Sequence, residues 1–377
     1  MLSTSRKSIT ILGATGSIGD STLDIIRRNP EQFEVIALTA NNNTQKLITL
    51  AKEFRPKAIA LADESKWPEL KGLDCDIVSL NEAASMDADI TVAAIVGAAG
   101  LPTVMEAIKH GKIVALANKE SLVCAGSLVL QACQKYGTKL LPIDSEHNAV
   151  FQVLSTEHRA ALEKVTLTAS GGPFLNRPLG TFKDITPAEA VAHPKWSMGA
   201  KISVDSATMM NKGLELIEAH FLFGLSPQQM DVLIHPESII HALVHYADGS
   251  VLAQLGMPDM RIPISYTLAW PNRIAIATER LDLAKIANLH FQPMDEARFP
   301  ALVLAKQAMH AGQSAMITLN AANEMAVSAF LQGKISFPAI THTIERALAD
   351  STPQTMNTLE DVIALDKEVR KKTSQLL

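Results

Sequence analysis

The chain has 377 residues with 34 Lys and Arg against 39 Asp and Glu, a formal net charge of −5, and three cysteines. That length calls for two or three cores, since single cores stop growing near roughly 250 to 300 residues. The acidic balance, the lack of any polybasic block and the lack of an apolar run near roughly 18 residues exclude a general nucleic-acid binder and a membrane-spanning helix.

Cys75, Cys124 and Cys133 show no Cys-x-x-Cys spacing, so neither a disulfide framework nor a structural zinc site is expected. Met1 to Lys7 is short and polar, without the pattern of a signal peptide, and a cytoplasmic protein is expected.

Residues 8 to 143 alternate short β-rich runs with helical stretches: Ser8 to Leu12, Glu34 to Leu38, Ala58 to Leu61, Ile90 to Val96, Ile113 to Leu116 and Leu140 to Ile143. Such alternation predicts βαβ units and a parallel sheet buried on both faces, with ligands at the carboxyl ends of its strands. Polar clusters fall at those ends: Gly13 to Gly19, Asn41-Asn42-Asn43, Asn118-Lys119-Glu120 and Asp144-Ser145-Glu146. The expected fold is α/β, with a Rossmann-type domain over 1–144. A central α+β domain over 145–270 follows, with a hairpin at Asp248-Gly249. A weakly patterned linker over 271–298 leads to a C-terminal helical bundle over 299–377. Residues 171–200, rich in Gly, Pro and Lys, read as one long functional loop, a lid over the central domain.

Gly13-Ala14-Thr15-Gly16-Ser17-Ile18-Gly19 follows the first strand and opens a helix, the context of a dinucleotide site whose pyrophosphate rests on the helix N-terminus. The second strand ends in Thr39-Ala40-Asn41-Asn42-Asn43-Thr44, with no Asp or Glu to grip a ribose 2′-hydroxyl. A 2′-phosphate held by the amides, Thr44 and Lys46 is therefore expected, and NADP over NAD.

Asp144 and Glu146 are carboxylates spaced i, i+2. In an extended segment that spacing points both the same way, and a hard cation such as Mg²⁺ or Mn²⁺ would relieve their repulsion. Alone, the pattern is a solvated loop with a helix N-cap; its place beside the nucleotide turn favours the metal. Lys119, at the same sheet edge, is a cation near an anionic substrate or a developing oxyanion. Ser206 to Glu215 reads as one helix with Asn211, Lys212 and Glu215 on a single face. Glu215 could be a third oxygen ligand, while Ser206, Asn211 and Lys212 bind phosphate. His241 and His245 lack the Glu of a His-Glu-x-x-His site, and His235-Pro236-Glu237 lacks a following Pro-Cys-x-x-Cys, so all three read as structural. His193 differs, because it sits in the long loop.

Taken together, the segments resemble the 1-deoxy-D-xylulose-5-phosphate reductoisomerase family across essentially the whole chain. The markers are Gly13 to Gly19, Leu116 to Leu122, Asp144 to Asn148, Ser170 to Phe174, His193 to Gly199, and Lys201 to Ser206 running on to Glu215. The resemblance implies a homodimer with an NADPH domain, a catalytic domain under a lid and a helical bundle. It implies Asp144, Glu146 and Glu215 as ligands of Mn²⁺, Mg²⁺ or Co²⁺, with Lys119, Glu146 and His193 catalytic and Ser145 near the reacting carbons. Ser145, Glu146, Ser170, His193, Ser206, Asn211, Lys212 and Glu215 match substrate contacts. Thr15, Gly16, Ser17, Ile18, Asn41, Asn42, Asn43, Asn118, Glu120 and Gly199 fall at NADPH contacts. Where the family often has Gly-Lys or Gly-Ser before the asparagine, this chain has Asn41-Asn42. The implied reaction rearranges a phosphorylated ketose, 1-deoxy-D-xylulose 5-phosphate, and reduces it with NADPH to 2-C-methyl-D-erythritol 4-phosphate in non-mevalonate isoprenoid synthesis. The nearest rival is an NADP-dependent sugar-phosphate dehydrogenase without rearrangement, which needs no converging carboxylates. A redox-sensing regulator is the rival of another class, and it predicts erosion of Lys119, Glu146 or Glu215, all of which are present.

Overall fold

The computed structural model describes residues 6–155, 157–193, 195–196 and 198–377. They form two compact units. The first takes the chain through Ser121, with Val129–Ser145 and Met260–Thr278; the second takes Leu122–Leu128, Glu146–Asp259 and Glu279–Leu377.

The first unit is built on seven strands: β1 (Lys7–Leu12), β2 (Phe33–Ala40), β3 (Ala58–Leu61), β4 (Asp76–Val78), β5 (Ile90–Ala93), β6 (Ile113–Leu116) and β7 (Lys139–Pro142). Their order is β4-β3-β2-β1-β5-β6-β7 and every neighbouring pair is parallel. Ile9, Ile11, Leu38, Ile59 and Val92 are wholly buried, the pattern of strands covered on both faces. The expected parallel sheet is present, with one strand more than the six runs suggested. β4 is only three residues long and starts on exposed Asp76, too short for any periodicity.

The domain boundaries depart from expectation. Residues 260–278 were assigned partly to the central domain and partly to the linker, but they pack on the first unit. Its helix Arg261–Ala269 buries Ile264 and Leu268 completely in the sheet's core, joined by Met260, Ile274 and Ile276. Each such side chain contributes about 1.5–3 kcal/mol of burial. Polar ties reinforce the attachment: Lys7 Nζ donates to the carbonyls of Leu268 (3.0 Å) and Trp270 (2.9 Å), and Thr267 Oγ1 donates to Pro142 O at 3.2 Å.

The second unit has a mixed sheet of β8 (Leu162–Ala169), β9 (Met230–Ile234), β10 (Ile240–Tyr246), β11 (Val251–Leu255) and β12 (Gln292–Pro293), in the order β11-β10-β8-β9-β12. The expected hairpin joins β10 to β11: Gly249 takes φ +84° and Asp248 Oδ1 accepts from Ser250 N at 2.9 Å. The expected C-terminal helices are present as Pro300–Ala311, Gln313–Leu331, Phe337–Ala349 and Leu359–Thr373. They share one core with the helices Ala200–Thr208 and Met210–Phe223, where Val204, Met210, Leu214 and Ile217 meet Ala301, Leu319, Phe330 and Ile344. An apolar helical stripe declares that it must be covered, not by what.

The same core corrects the long lid. Within 171–200, Phe174, Ile185 and Ala190 are buried, a 3₁₀ turn forms at Leu179–Asp184 and a short capped helix at Pro187–Val191. Phe337 meets Phe174 edge-on at 5.3 Å and Phe182 at 5.9 Å, so most of this stretch is anchored by aromatic packing. Replacing Phe337 with Ala should cost about 3–5 kcal/mol in chemical denaturation. It should also speed amide exchange between residues 173 and 192; unchanged exchange there would mean that the anchor lies elsewhere.

Candidate active site

In the first unit, parallel strands bring their carboxyl ends to one edge. After β1 the chain turns through Gly13 at φ +92°, and a Cβ on Gly19 would meet the carbonyl oxygen of Ala14 at 2.4 Å, so the helix approaches the turn as only glycine allows. Gly13 N donates to Thr39 Oγ1 (2.9 Å) and Ala14 N to Thr39 O (2.7 Å), fixing the turn to β2. Gly16 and Ser17 are exposed, Thr15 and Ile18 partly so, and the helix Ser17–Arg28 begins at Gly16 with no side-chain cap. Its uncapped N–H groups and positive dipole end suit a pyrophosphate, which is the fit expected of a dinucleotide turn. Lys46 reaches the same turn, donating to Thr15 O at 3.0 Å and Asp20 Oδ2 at 2.7 Å.

Asn41, Asn42 and Asn43 are exposed after β2, and Asn43 Oδ1 caps the helix Thr44–Phe54 by accepting from Lys46 N. Asn118 proves structural through its side chain. Its amide donates to Ile95 O (2.6 Å) and Gly97 O (2.8 Å), while its Oδ1 caps the helix that begins at Lys119. Glu120 is buried and accepts from the same amide at 3.2 Å. Lys119, 4% exposed, forms a buried ion pair with Asp144.

The extended geometry expected for Asp144 and Glu146 is not found. A helix, Ser145–Val153, starts directly after Asp144, so Glu146 lies in a first helical turn, where its charge suits the dipole. The helix expected through Ser206–Glu215 is broken at Met209, which takes φ +65° between Ala200–Thr208 and Met210–Phe223. Asn211, Lys212 and Glu215 all follow the break, so their shared face survives while Ser206 belongs to the preceding helix.

In the second unit two carboxylates meet on one cation. Lys212, 3% exposed, donates to Glu146 Oε1 at 2.7 Å and to Glu215 Oε2; Asn211 Nδ2 donates to Glu215 Oε1. Burial alone would lower the Lys212 pKa, but Glu146 and Glu215 together outweigh it and hold the ammonium above its usual value. Oxygens that converge on one buried point charge are the donor set of a hard divalent ion, so these residues fit such a metal.

Ser170 and His193 are also brought together, Oγ to Nε2 at 2.9 Å. His193 Nδ1 accepts from Lys195 N (3.2 Å) and Trp196 N (3.0 Å), which leaves the ring proton on Nε2, facing Ser170. A Cβ on Gly172, at φ +66°, would meet Ser206 O at 2.9 Å, so glycine lets the Ser170 turn close on the helix bearing Ser206. Gly199 is the N-cap of that helix. Trp196 packs edge-on against His241 at 6.3 Å.

Three family models match the chain: "1-deoxy-D-xylulose 5-phosphate reductoisomerase" over 9–126, its C-terminal domain over 140–223, and "DXP reductoisomerase C-terminal domain" over 255–372. The reductoisomerase of Zymomonas mobilis is 50% identical over 98% of each chain, and that of Chlorobaculum tepidum 49% over 98% of this chain and 100% of its own. The chain belongs to the 1-deoxy-D-xylulose 5-phosphate reductoisomerase family. A solved Zymomonas mobilis reductoisomerase in complex with NADPH superposes with a TM-score of 0.92 at 48% identity over 99% of each chain. A reductoisomerase in complex with NADPH, fosmidomycin and magnesium gives 0.95 at 46% over 98% of each.

Sequence reasoning gave no role to several buried polar residues of this reductoisomerase site. His147, wholly buried, donates from Nε2 to the Glu215 carbonyl at 2.8 Å and stands 3.3 Å from Glu218, also wholly buried. Asp205 is held by Lys201 (2.9 Å) and by Asn323 (2.8 Å). The available signals were adjacency to Glu146 for His147 and the Glu215–Glu218 turn spacing for Glu218.

Lys212→Met should destabilise the fold by about 3–5 kcal/mol, because Glu146 and Glu215 lose their shared counter-charge. Added Mn²⁺ should restore more stability to the variant than to the wild type in parallel denaturation curves, and equal gains would refute a shared cation site. Burial also lowers the His193 pKa. With the folded value below the unfolded one, its contribution is present above the ordinary histidine range and lost as pH falls through the lowered value. An NMR titration should show His193 protonating at lower pH than a histidine in a short unstructured peptide; equal midpoints would contradict this.

Proposed function

We propose that the chain acts as the reductoisomerase of its family: with NADPH and a divalent cation it rearranges 1-deoxy-D-xylulose 5-phosphate and reduces the product to 2-C-methyl-D-erythritol 4-phosphate. The observation that carries this reading is the meeting of Glu146 and Glu215 on the Lys212 ammonium, in a chain whose nucleotide turn has the glycine geometry of a dinucleotide site. A sugar-phosphate dehydrogenase without rearrangement would need no such buried carboxylate pair.

Asp144, Glu146 and Glu215 are the proposed metal ligands. When bound, the cation polarises the ketose carbonyl and acidifies a neighbouring hydroxyl, and NADPH supplies hydride. Lys119, drawn to Asp144, steadies negative charge near the reacting carbons, where Ser145 lies first in its helix. Glu146 and His193 are the other proposed catalytic groups. The His193 Nε2 proton and the Ser170 hydroxyl form one donor pair for the substrate. Ser206, Asn211 and Lys212 take the phosphate end, which holds the substrate while its skeleton changes. Thr15, Gly16, Ser17, Ile18, Asn41, Asn42, Asn43, Asn118, Glu120 and Gly199 are the proposed NADPH contacts, Asn118 through its backbone because its side chain is engaged. The lid role contracts to the stretch around Trp196, within which Pro194 and Ser197 lie outside the described residues.

A homodimer is part of the proposal, supported by β11, a sheet-edge strand on which Val251 and Leu252 are each 47% exposed. So is a cytoplasmic location, supported by three free cysteines. Among the described residues no helix is long and apolar enough to cross a membrane.

NADPH oxidation should depend on both 1-deoxy-D-xylulose 5-phosphate and Mn²⁺ and should cease with EDTA. Glu215→Gln should lower kcat/KM by about a hundredfold or more and weaken Mn²⁺ binding measured by calorimetry. Normal turnover together with normal Mn²⁺ affinity would remove Glu215 from the ligand set.

A further inference from the structure

NADPH differs from NADH by one phosphate on the adenosine ribose, and in a parallel sheet of this kind that phosphate lies by the turn after the second strand. The groups that sequence offers there are mostly withdrawn. Thr44 is 4% exposed and its hydroxyl is buried. The Lys46 ammonium is engaged at the glycine turn with Thr15 O and Asp20. Asn43 caps a helix through its Oδ1, and exposed Asn41 and Asn42 carry no charge.

A cation arrives from a different element. Lys66 lies in the 3₁₀ turn Glu64–Leu70 that follows β3, and its Nζ reaches back to donate to Asn42 O at 3.1 Å. The two turns are locked together. Ala62 N donates to Ala40 O and Asp63 N to Asn41 O, both at 3.0 Å, and Trp67 Nε1 donates to Leu61 O at 2.9 Å, fixing the residue beside Lys66. The ammonium is therefore held at the Asn41–Asn43 turn with further N–H donors to offer, at a half-exposed position a ligand can reach. Asp63 stands 3.9 Å away, and its Oδ1 accepts from Ser65 at 2.5 Å.

We infer that Lys66 is the specificity-determining cation for the cofactor's 2′-phosphate, resting on the NADPH reading above. One ammonium against a phosphate dianion, with Asn41 and Asn42 amides alongside, replaces the missing charge on the turn itself. The rival arrangement uses Asp63 as acceptor for a free ribose 2′-hydroxyl, which would favour NADH.

Calorimetric titration of NADPH and NADH into the full chain, without substrate or metal, tests the assignment. Lys66→Ala should weaken NADPH by about ten- to hundredfold, leave NADH within about twofold, and flatten the loss of NADPH affinity with added salt. Lys66→Arg should retain most of the NADPH affinity, and Asp63→Asn should leave NADH unchanged. Equal NADPH affinity in wild type and Lys66→Ala, or an equal loss for both cofactors, would overturn the role of Lys66 while the wild-type preference still stood. A tenfold loss of NADH affinity in Asp63→Asn would install the rival arrangement. A wild type that binds NADH as tightly as NADPH would remove the NADPH reading itself, and the inference with it.

Discussion

Every feature of the site depends on buried charge being matched by opposite charge. A carboxylate taken from water without a partner costs several kcal/mol, and two side by side cost more. The chain meets this for four acids by setting them against bases in their own unit: Lys119 with Asp144, Lys212 with Glu146 and Glu215, Lys201 with Asp205. Such pairs add little net stability over apolar packing, but a misplaced partner is heavily penalised. Their consequence is geometric. Lys212 can serve two carboxylates only if the helices Ser145–Val153 and Met210–Phe223 keep one register, and the His147 hydrogen bond to the Glu215 carbonyl holds the same register by a second route.

What was legible in the sequence follows from which forces act locally. The parallel sheet was readable because both-face burial demands uninterrupted apolar strands, and the clusters at their carboxyl ends pointed to the site edge. The hairpin was readable because a turn with φ +84° requires glycine at Gly249. At Asp144-Ser145-Glu146 the backbone differs from the expected extended one, since an acid pair after a strand suits an extended end and a helix start alike. The break at Met209 had no signal. A methionine in left-handed backbone is imposed by the packing on either side of it, and propensity argues against it.

Domain boundaries were the least legible. Amphipathic pattern reports that a helix has a face to bury but not which surface receives it. Residues 260–278 therefore passed for the end of one domain and the start of a linker, while Ile264 and Leu268 complete the core of the first sheet. The long loop was misread for the same reason. Phe174, Phe182 and Ile185 are too sparse to signal an element, yet with Phe337 they belong to one apolar cluster.

Anchoring most of the stretch leaves a short segment organised around one imidazole ring. His193 Nδ1 accepts from the backbone of Lys195 and Trp196, so the segment folds around one ring nitrogen while the other carries the proton toward Ser170. The neutral ring does both tasks only in that tautomer, and burial, by lowering its pKa, keeps it neutral. Trp196 is thereby carried to His241, a residue on β10 whose own burial likewise favours the neutral form, against the pull of Glu146. One imidazole thus meets a hydroxyl on one side and, on the other, the backbone that carries an indole. The same ring therefore links the Ser170 hydroxyl to the backbone that carries Trp196.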